Sequence, residues 1–439
     1  MAFFPRFKSP EISASGLPSG TSIESGISKT IAAQDPVSTL QPVNAEQKAI
    51  DEKTTDPETR IKIPDFLADW RTKPSWPSPY PPRRHAQSES IKAEAERWLR
   101  SYHRNDISND GDGDNGGGSG ISNTFISKII AGDFPDIACL IYAHQDAKHT
   151  LLAALVMLHF FVIDEFTDTI EGNEEGEANV RRQSAALVRA FRDPDYPPLP
   201  PRDEDGAGTD KDVWVGIRMA ADIASRYRSD SVGGTAESWA FFVDSFADYL
   251  DGVGDEVALR RRPCVPCRAE YMAVRRRTIG VLPGMALLLI DRAVRPGFFA
   301  IPAVDAMLRL CVDIIINQND IYSFDKEQAR GEDGHNGVRV LMEEEEKEAP
   351  GPGSVQEAMN RLGEETRVLV GRFVELCENL PTLEDEVDNA HLGILREGCV
   401  SWIVGMEVWS TLVTKRYGMQ RLDGDRYYTA TPRKKMQQQ

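Results

Sequence analysis

From Thr150 the chain runs Leu-Leu-Ala-Ala-Leu-Val-Met-Leu-His-Phe-Phe-Val-Ile before it meets Asp164. Apolar residues fall on nearly every face of this segment, which predicts a central helix wrapped by others rather than a surface helix with one apolar stripe. Helical periodicity also marks 88–102, with Trp98 and Leu99 facing inward, and recurs over 213–227, 236–250, 303–330, 354–380 and 384–417. No segment alternates convincingly with period two. The pattern therefore predicts an all-α protein, one large helical bundle.

Interruptions divide the helices. Segments 172–179, 192–212 and 343–353 are acidic or proline-rich and read as loops, and Gly280 and Pro283 predict a kink. Residues 1–60 are rich in Ser, Gly, Pro, Thr and Gln and are expected to lack fixed structure, with order beginning near Ile63, Phe66 and Trp70. The proline-rich stretch 74–82 is expected along the surface. The expected organisation is a tail over 1–60, a single helical domain over 61–424 and a disordered tail over 425–439. Segment 105–120 places Asp110, Asp112 and Asp114 at the first, third and fifth positions of a calcium loop. Asn115 then stands where glycine is needed and Ile121 where glutamate is needed, so the segment reads as a solvated flexible loop.

Composition narrows the function. The chain has 439 residues, 41% of them hydrophobic, enough for a substantial core. Its formal charge of −18 argues against nucleic-acid binding, which needs a basic face, and against docking on anionic membrane. The apolar runs near 151–163 and 281–290 fall short of the roughly 18 residues of a membrane span, and no apolar leader is visible. A cytoplasmic protein without a membrane span, monomer or homodimer, is the expectation. Six scattered cysteines suggest buried thiols; Cys264 and Cys267 have CxxC spacing but no second pair and no nearby histidine, so chance is the better account than zinc.

The most specific chemistry lies at 319–327, Asn-Asp-Ile-Tyr-Ser-Phe-Asp-Lys-Glu. On a helix, Asn319, Ser323 and Glu327 drift only about 80° over two turns, so their side chains form one stripe of amide, hydroxyl and carboxylate oxygens. Hard oxygen ligands suit Mg²⁺. Upstream, Asp164 and Asp168 are also four apart, in Asp-Glu-Phe-Thr-Asp, at the end of the apolar helix. Alone, that acidic pair is better read as a solvated helix end. Two such stripes on two helices, however, suit a cluster of Mg²⁺ ions and a polyphosphate substrate.

These elements resemble the class I terpene synthases, most closely fungal sesquiterpene synthases. That family carries D-(D/E)-x-x-D and N-D-x-x-S-x-x-x-E motifs, and the second is matched here at every fixed position. The pair Arg416-Tyr417 resembles a third mark, and Tyr271 to Gly280 resembles the family's diphosphate-sensing segment. The four elements occur in family order, and the likeness covers roughly residues 60–420.

The resemblance implies a Mg²⁺-dependent cyclase, with three ions, that ionises and cyclises farnesyl diphosphate. It implies Asp164, Asn319, Ser323 and Glu327 as metal ligands, and Asp168 as a ligand or a hydrogen-bonding residue near the metal. Arg416 and Tyr417 are then expected on diphosphate oxygens. The sensing arginine is Arg275 or Arg276; Arg276 lies one turn before Gly280, but three successive arginines leave the register open, and Lys326 and Arg330 are further phosphate contacts. Phe125, Phe160, Phe161, Trp402 and Trp409 are candidate walls for a carbocation, though each reads more readily as plain core. Rival readings are a cyclase for geranyl or geranylgeranyl diphosphate, a chain-elongating prenyltransferase, and a non-catalytic member binding diphosphate or a partner. An elongating enzyme would carry a second aspartate-rich motif where Asn319, Ser323 and Glu327 stand.

Overall fold

A computed structural model describes residues 61–71, 73–77, 82–103, 121–167, 170, 172–193, 196, 211–262, 264–348, 354–421 and 427–430. The expected tail 1–60, the loop 105–120 and Asp168 lie outside these residues.

The elements run β1 (Ile61–Pro64), α1 (Ser88–Arg100), α2 (Asn123–Ala131), α3 (Phe134–Ile141), α4 (Ala147–Thr167), α5 (Glu174–Arg192), α6 (Lys211–Arg228), α7 (Ala236–Arg260) and α8 (Arg268–Thr278). Then follow α9 (Val281–Ala286), α10 (Pro302–Arg330), α11 (Gly337–Glu348), α12 (Val355–Glu378), α13 (Glu386–Val408), β2 (Met419–Arg421) and β3 (Tyr427–Ala430). The fold is all-α in class. Against expectation, three short strands close the two ends of the domain together, in antiparallel order β1-β3-β2, with Ile61 opposite Ala430. β3 extends ordered structure beyond the boundary expected at 424. The strands are too short to show alternation, and their pairing joins distant segments.

α4 is the central helix its composition predicts. It is buried on most sides, with α3, α1 and α6 packed around it. Its 21 residues are long and apolar enough to cross a membrane by composition, a correction to the run length read from sequence. Yet 78% of its most apolar window is buried inside the fold, the mark of a core helix. α10 is the longest element at 29 residues; Pro302 opens it and Gly331, at φ 77°, ends it. It packs on α12 and α13. α5 begins at Glu174 and α11 runs to Glu348, so parts of the acidic segments read as loops are helical. Glu174 and Glu175 are exposed there, whereas Glu177, Glu343 and Glu344 are half-buried.

The kink expected between α8 and α9 falls at Gly280, whose φ of 73° is left-handed. At the far end α13 passes into a π-helical turn over Trp409–Val413, and the chain then turns back toward the bundle. All six cysteines are free; Cys264 and Cys267 are exposed, and Cys267 sits at the N-terminal cap of α8.

Candidate active site

α4, α7, α8, α10 and the segment after α13 surround one cavity of about 340 Å³. Its deeper wall is apolar, formed in part by Met157, Phe160, Phe161, Ile315, Trp402 and Met406. Its rim carries Asp164 from α4, Asn319, Ser323, Lys326 and Glu327 from α10, Arg275 from α8, and Arg416 and Tyr417 from the C-terminal segment. Asp164 of the first motif and the Asn319 stripe of the second therefore line the same cavity, although they are far apart in sequence.

Within that rim, Arg275 donates from Nη2 to Oδ1 of Asn319 at 2.7 Å. Arg276, the other candidate sensor, does not line the cavity. It makes a two-pronged pair with Asp313 of α10, at 2.7 and 2.9 Å. Consecutive helix positions differ by about 100°, so neighbouring arginines face different surroundings. Arg330 also stays off the cavity wall and lies 3.7 Å from Glu332.

Among the candidate aromatics, Phe160, Phe161 and Trp402 line the cavity. Phe125 instead stacks on Phe166. Trp409 is buried elsewhere and donates to the Asp133 carbonyl at 3.1 Å.

Glu165, the middle acid of the first motif, does not line the cavity. It accepts from Arg416 at 3.0 Å and from Lys128 of α2. Lys128 and Arg416 hold its carboxyl below the usual range, against the upward push of burial. The Arg416 guanidinium lies 5.5 Å over the Phe134 ring and 5.9 Å over Phe161. Arg416 is thus fixed by one carboxylate and two ring faces while it lines the cavity.

The remaining rim is poorly solvated. Burial pushes the Asp164 carboxyl up, opposed by Arg416 and Lys326, and pushes Glu327 up, opposed by hydrogen bonds from Ser323 and Asn336. The Lys326 ammonium is pushed down to about 8 by burial, reinforced by Arg416 and Arg330. Both signs have one cause, since low dielectric penalises any charge lacking a close partner. Dications relieve the carboxylates and a polyanion relieves the cations. Among the described residues no three His, Cys, Asp or Glu side chains converge as a metal cluster. The oxygen set here draws instead on an amide and a hydroxyl beside two carboxylates, a chemistry that fits Mg²⁺.

Several cavity residues were not visible in the sequence. Glu256 and Arg260 come from α7, and His335 follows α10; His335 Nε2 lies 3.4 Å from Glu256 Oε2. They belong to no motif; the packing of α7 against α8 and α9, and of the turn after α10 against α7, brings them to the cavity.

Comparison with known proteins bears on the family and the fold. Residues 155–370 match the family model described as terpene synthase family 2, C-terminal metal binding. This chain belongs to the class I terpene synthases. A sesquiterpene synthase 9 of Postia placenta is 27% identical over 364 residues, covering 82% of this chain and 91% of its own. A Delta(6)-protoilludene synthase of Stereum hirsutum is 27% identical over 371 residues, covering 83% and 86%. Among solved structures, germacradien-4-ol synthase from Streptomyces citricolor superposes with a TM-score of 0.57 at 20% identity, covering 76% of this chain and 96% of its own. At that identity the likeness speaks for the shared fold. This terpene synthase thus carries a metal-binding region whose matched span includes both the Asp164 motif and the Asn319 stripe.

Proposed function

We propose that this chain is a Mg²⁺-dependent sesquiterpene synthase that ionises farnesyl diphosphate and cyclises the resulting cation to a C15 product plus diphosphate, acting in the cytoplasm. The observation that carries the reading is one cavity lined both by oxygen- and cation-bearing side chains and by apolar, aromatic ones. Relatives named as sesquiterpene and protoilludene synthases support the C15 choice.

Asp164, Asn319, Ser323 and Glu327 are the residues that hold the metal ions, three by likeness to the family. Mg²⁺ supplies Lewis-acid stabilisation of the charge that develops on the departing diphosphate. Arg275, Lys326 and Arg416 offer guanidinium and ammonium donors to phosphate oxygens, and Tyr417 offers a hydroxyl. Their poor solvation strengthens these contacts. Phe160, Phe161 and Trp402 present ring faces to a carbocation, each worth roughly 0.5–2 kcal/mol. Met157, Ile315 and Met406 exclude water from the same space.

The test is incubation of the purified chain with farnesyl diphosphate and Mg²⁺, followed by gas chromatography–mass spectrometry. A cyclic C15 product that disappears with a chelator and in Asn319→Ala supports the reading. Product only from geranyl or geranylgeranyl diphosphate reassigns the substrate. Silence with all three from folded protein points to a non-catalytic member.

A further inference from the structure

Asn336 lies outside every motif, nine residues beyond Glu327, yet it is only 1% exposed and its side chain is fully engaged. Its Nδ2 donates to Glu327 Oε2 at 2.9 Å and to the Asp320 main-chain carbonyl at 2.9 Å, with Ser323 Oγ at 3.4 Å. Its Oδ1 accepts from Val338 N at 2.9 Å, and its own carbonyl accepts from Val340 N at 3.0 Å. One amide therefore caps α11 with its oxygen and grips the oxygen stripe of α10 with its nitrogen.

The two halves of that amide do different work. A glutamate projecting from a helix has three side-chain torsions, and a lone carboxylate in a poorly solvated site adopts whatever geometry its nearest donor dictates. With Oε2 held by Asn336 and Ser323 also bonded to the carboxylate, the plane of the Glu327 carboxylate is set where it lines the cavity. The Asp320 carbonyl is part of the rigid α10 backbone, so the donor itself is anchored to the element that carries both ligands. Buried ligand carboxylates depend on such outer hydrogen bonds for orientation and affinity.

We propose that Asn336 is a positioning residue that fixes the Glu327 carboxylate, and with it the neighbouring Ser323 hydroxyl, as ligands for a divalent cation. This rests on the reading of Asn319, Ser323 and Glu327 as the metal stripe.

The substitution Asn336→Asp separates the two roles. Aspartate caps a helix as well as asparagine, so α11 keeps its first turn. It has no N–H to give Glu327 and turns an acceptor toward it. The measurement is Mn²⁺ uptake by the full chain, with inorganic pyrophosphate present, followed by electron paramagnetic resonance. Circular dichroism and a metal-free melt report the fold. The expected result is a loss of Mn²⁺ affinity on the order of 10- to 100-fold with helicity retained. Should that variant not fold, Asn336→Ser keeps a capping oxygen but is too short to reach Glu327, and the same loss is expected. Wild-type Mn²⁺ affinity in a folded Asn336→Asp, in a chain where Glu327→Gln loses it, overturns the clamp alone. No Mn²⁺ uptake by the wild type overturns the metal stripe and the clamp together.

Discussion

Arg275 holds the amide oxygen of Asn319 at 2.7 Å, so a guanidinium occupies the atom that a divalent ion would take as its ligand. Two cations do not share one amide oxygen at that range without strong repulsion. Metal loading and the Arg275–Asn319 contact are therefore opposed until an anion draws the guanidinium away, which makes a diphosphate the natural trigger. Arg275→Met is expected to raise Mn²⁺ affinity several-fold without pyrophosphate while lowering turnover of prenyl diphosphate by about 100-fold. Arg276→Met loses only its half-buried pair with Asp313, a cost of about 1 kcal/mol, and leaves turnover within roughly threefold. Melting curves and single-turnover diphosphate release distinguish the two; equal turnover defects would undo the assignment.

Glu165 joins Arg416 to Lys128, tying the C-terminal segment to α2 across the top of α4. Glu165→Gln keeps the shape but removes the charge that holds the guanidinium. Arg416 is then expected to lose orientation, raising KM for the diphosphate by about tenfold, near 1.4 kcal/mol, with a smaller change in kcat. Asp164→Asn is expected to act chiefly on kcat and on metal dependence. Steady-state kinetics across a Mg²⁺ series measure both, and a metal-dependence defect in Glu165→Gln matching that of Asp164→Asn would place Glu165 among the ligands instead.

The second motif was legible because three oxygen types recur every four residues, and a helix of any register turns that spacing into one face. The central helix was legible because apolar residues surround it. Arg275 was not separable from Arg276, since three successive arginines give no internal clue and the choice is made by Asp313 on another helix. Glu256, His335 and Asn336 carry no local pattern at all; their places follow from how α7 and the turn after α10 pack. Nor was the small sheet foreseeable, because a strand of three or four residues gains its meaning only from a partner at the other end of the domain.

Gly284 of α9 is pressed against the cavity wall. A Cβ there would clash with Trp402 Cζ2, and the indole would have to move. The Gly284 carbonyl also accepts from Tyr142 Oη at 2.7 Å, which limits how far the backbone can yield. Gly284→Ala is expected to cost about 1–3 kcal/mol, as overpacking does. Because Trp402 lines the cavity, the product ratio is expected to shift as well. Urea denaturation and product profiling test the pair of effects, and an unchanged profile in a destabilised variant would mean that the indole is not part of the cyclisation surface.

His159 supplies a pH dependence away from the rim. It is fully buried on α4, its Nε2 lies 2.9 Å from the Gly216 carbonyl, and its ring stacks on Phe246. Nε2 is thus the protonated nitrogen of a neutral imidazole donating to that carbonyl. Burial lowers its pKa to about 4 from an ordinary value of 6.5. A folded pKa below the unfolded one means that the unfolded chain takes up the proton first. The stabilising contribution is therefore complete above about pH 6.5 and is lost as pH falls toward 4, by on the order of 3 kcal/mol at the limit. His159→Gln keeps a donor for Gly216 and does not titrate. It is expected to be less stable than the wild type at pH 7, with the gap closing steadily between pH 6.5 and 4. Urea melts at half-unit pH intervals measure this directly, and parallel stability curves for the two proteins would show that His159 is not the source of the acid sensitivity.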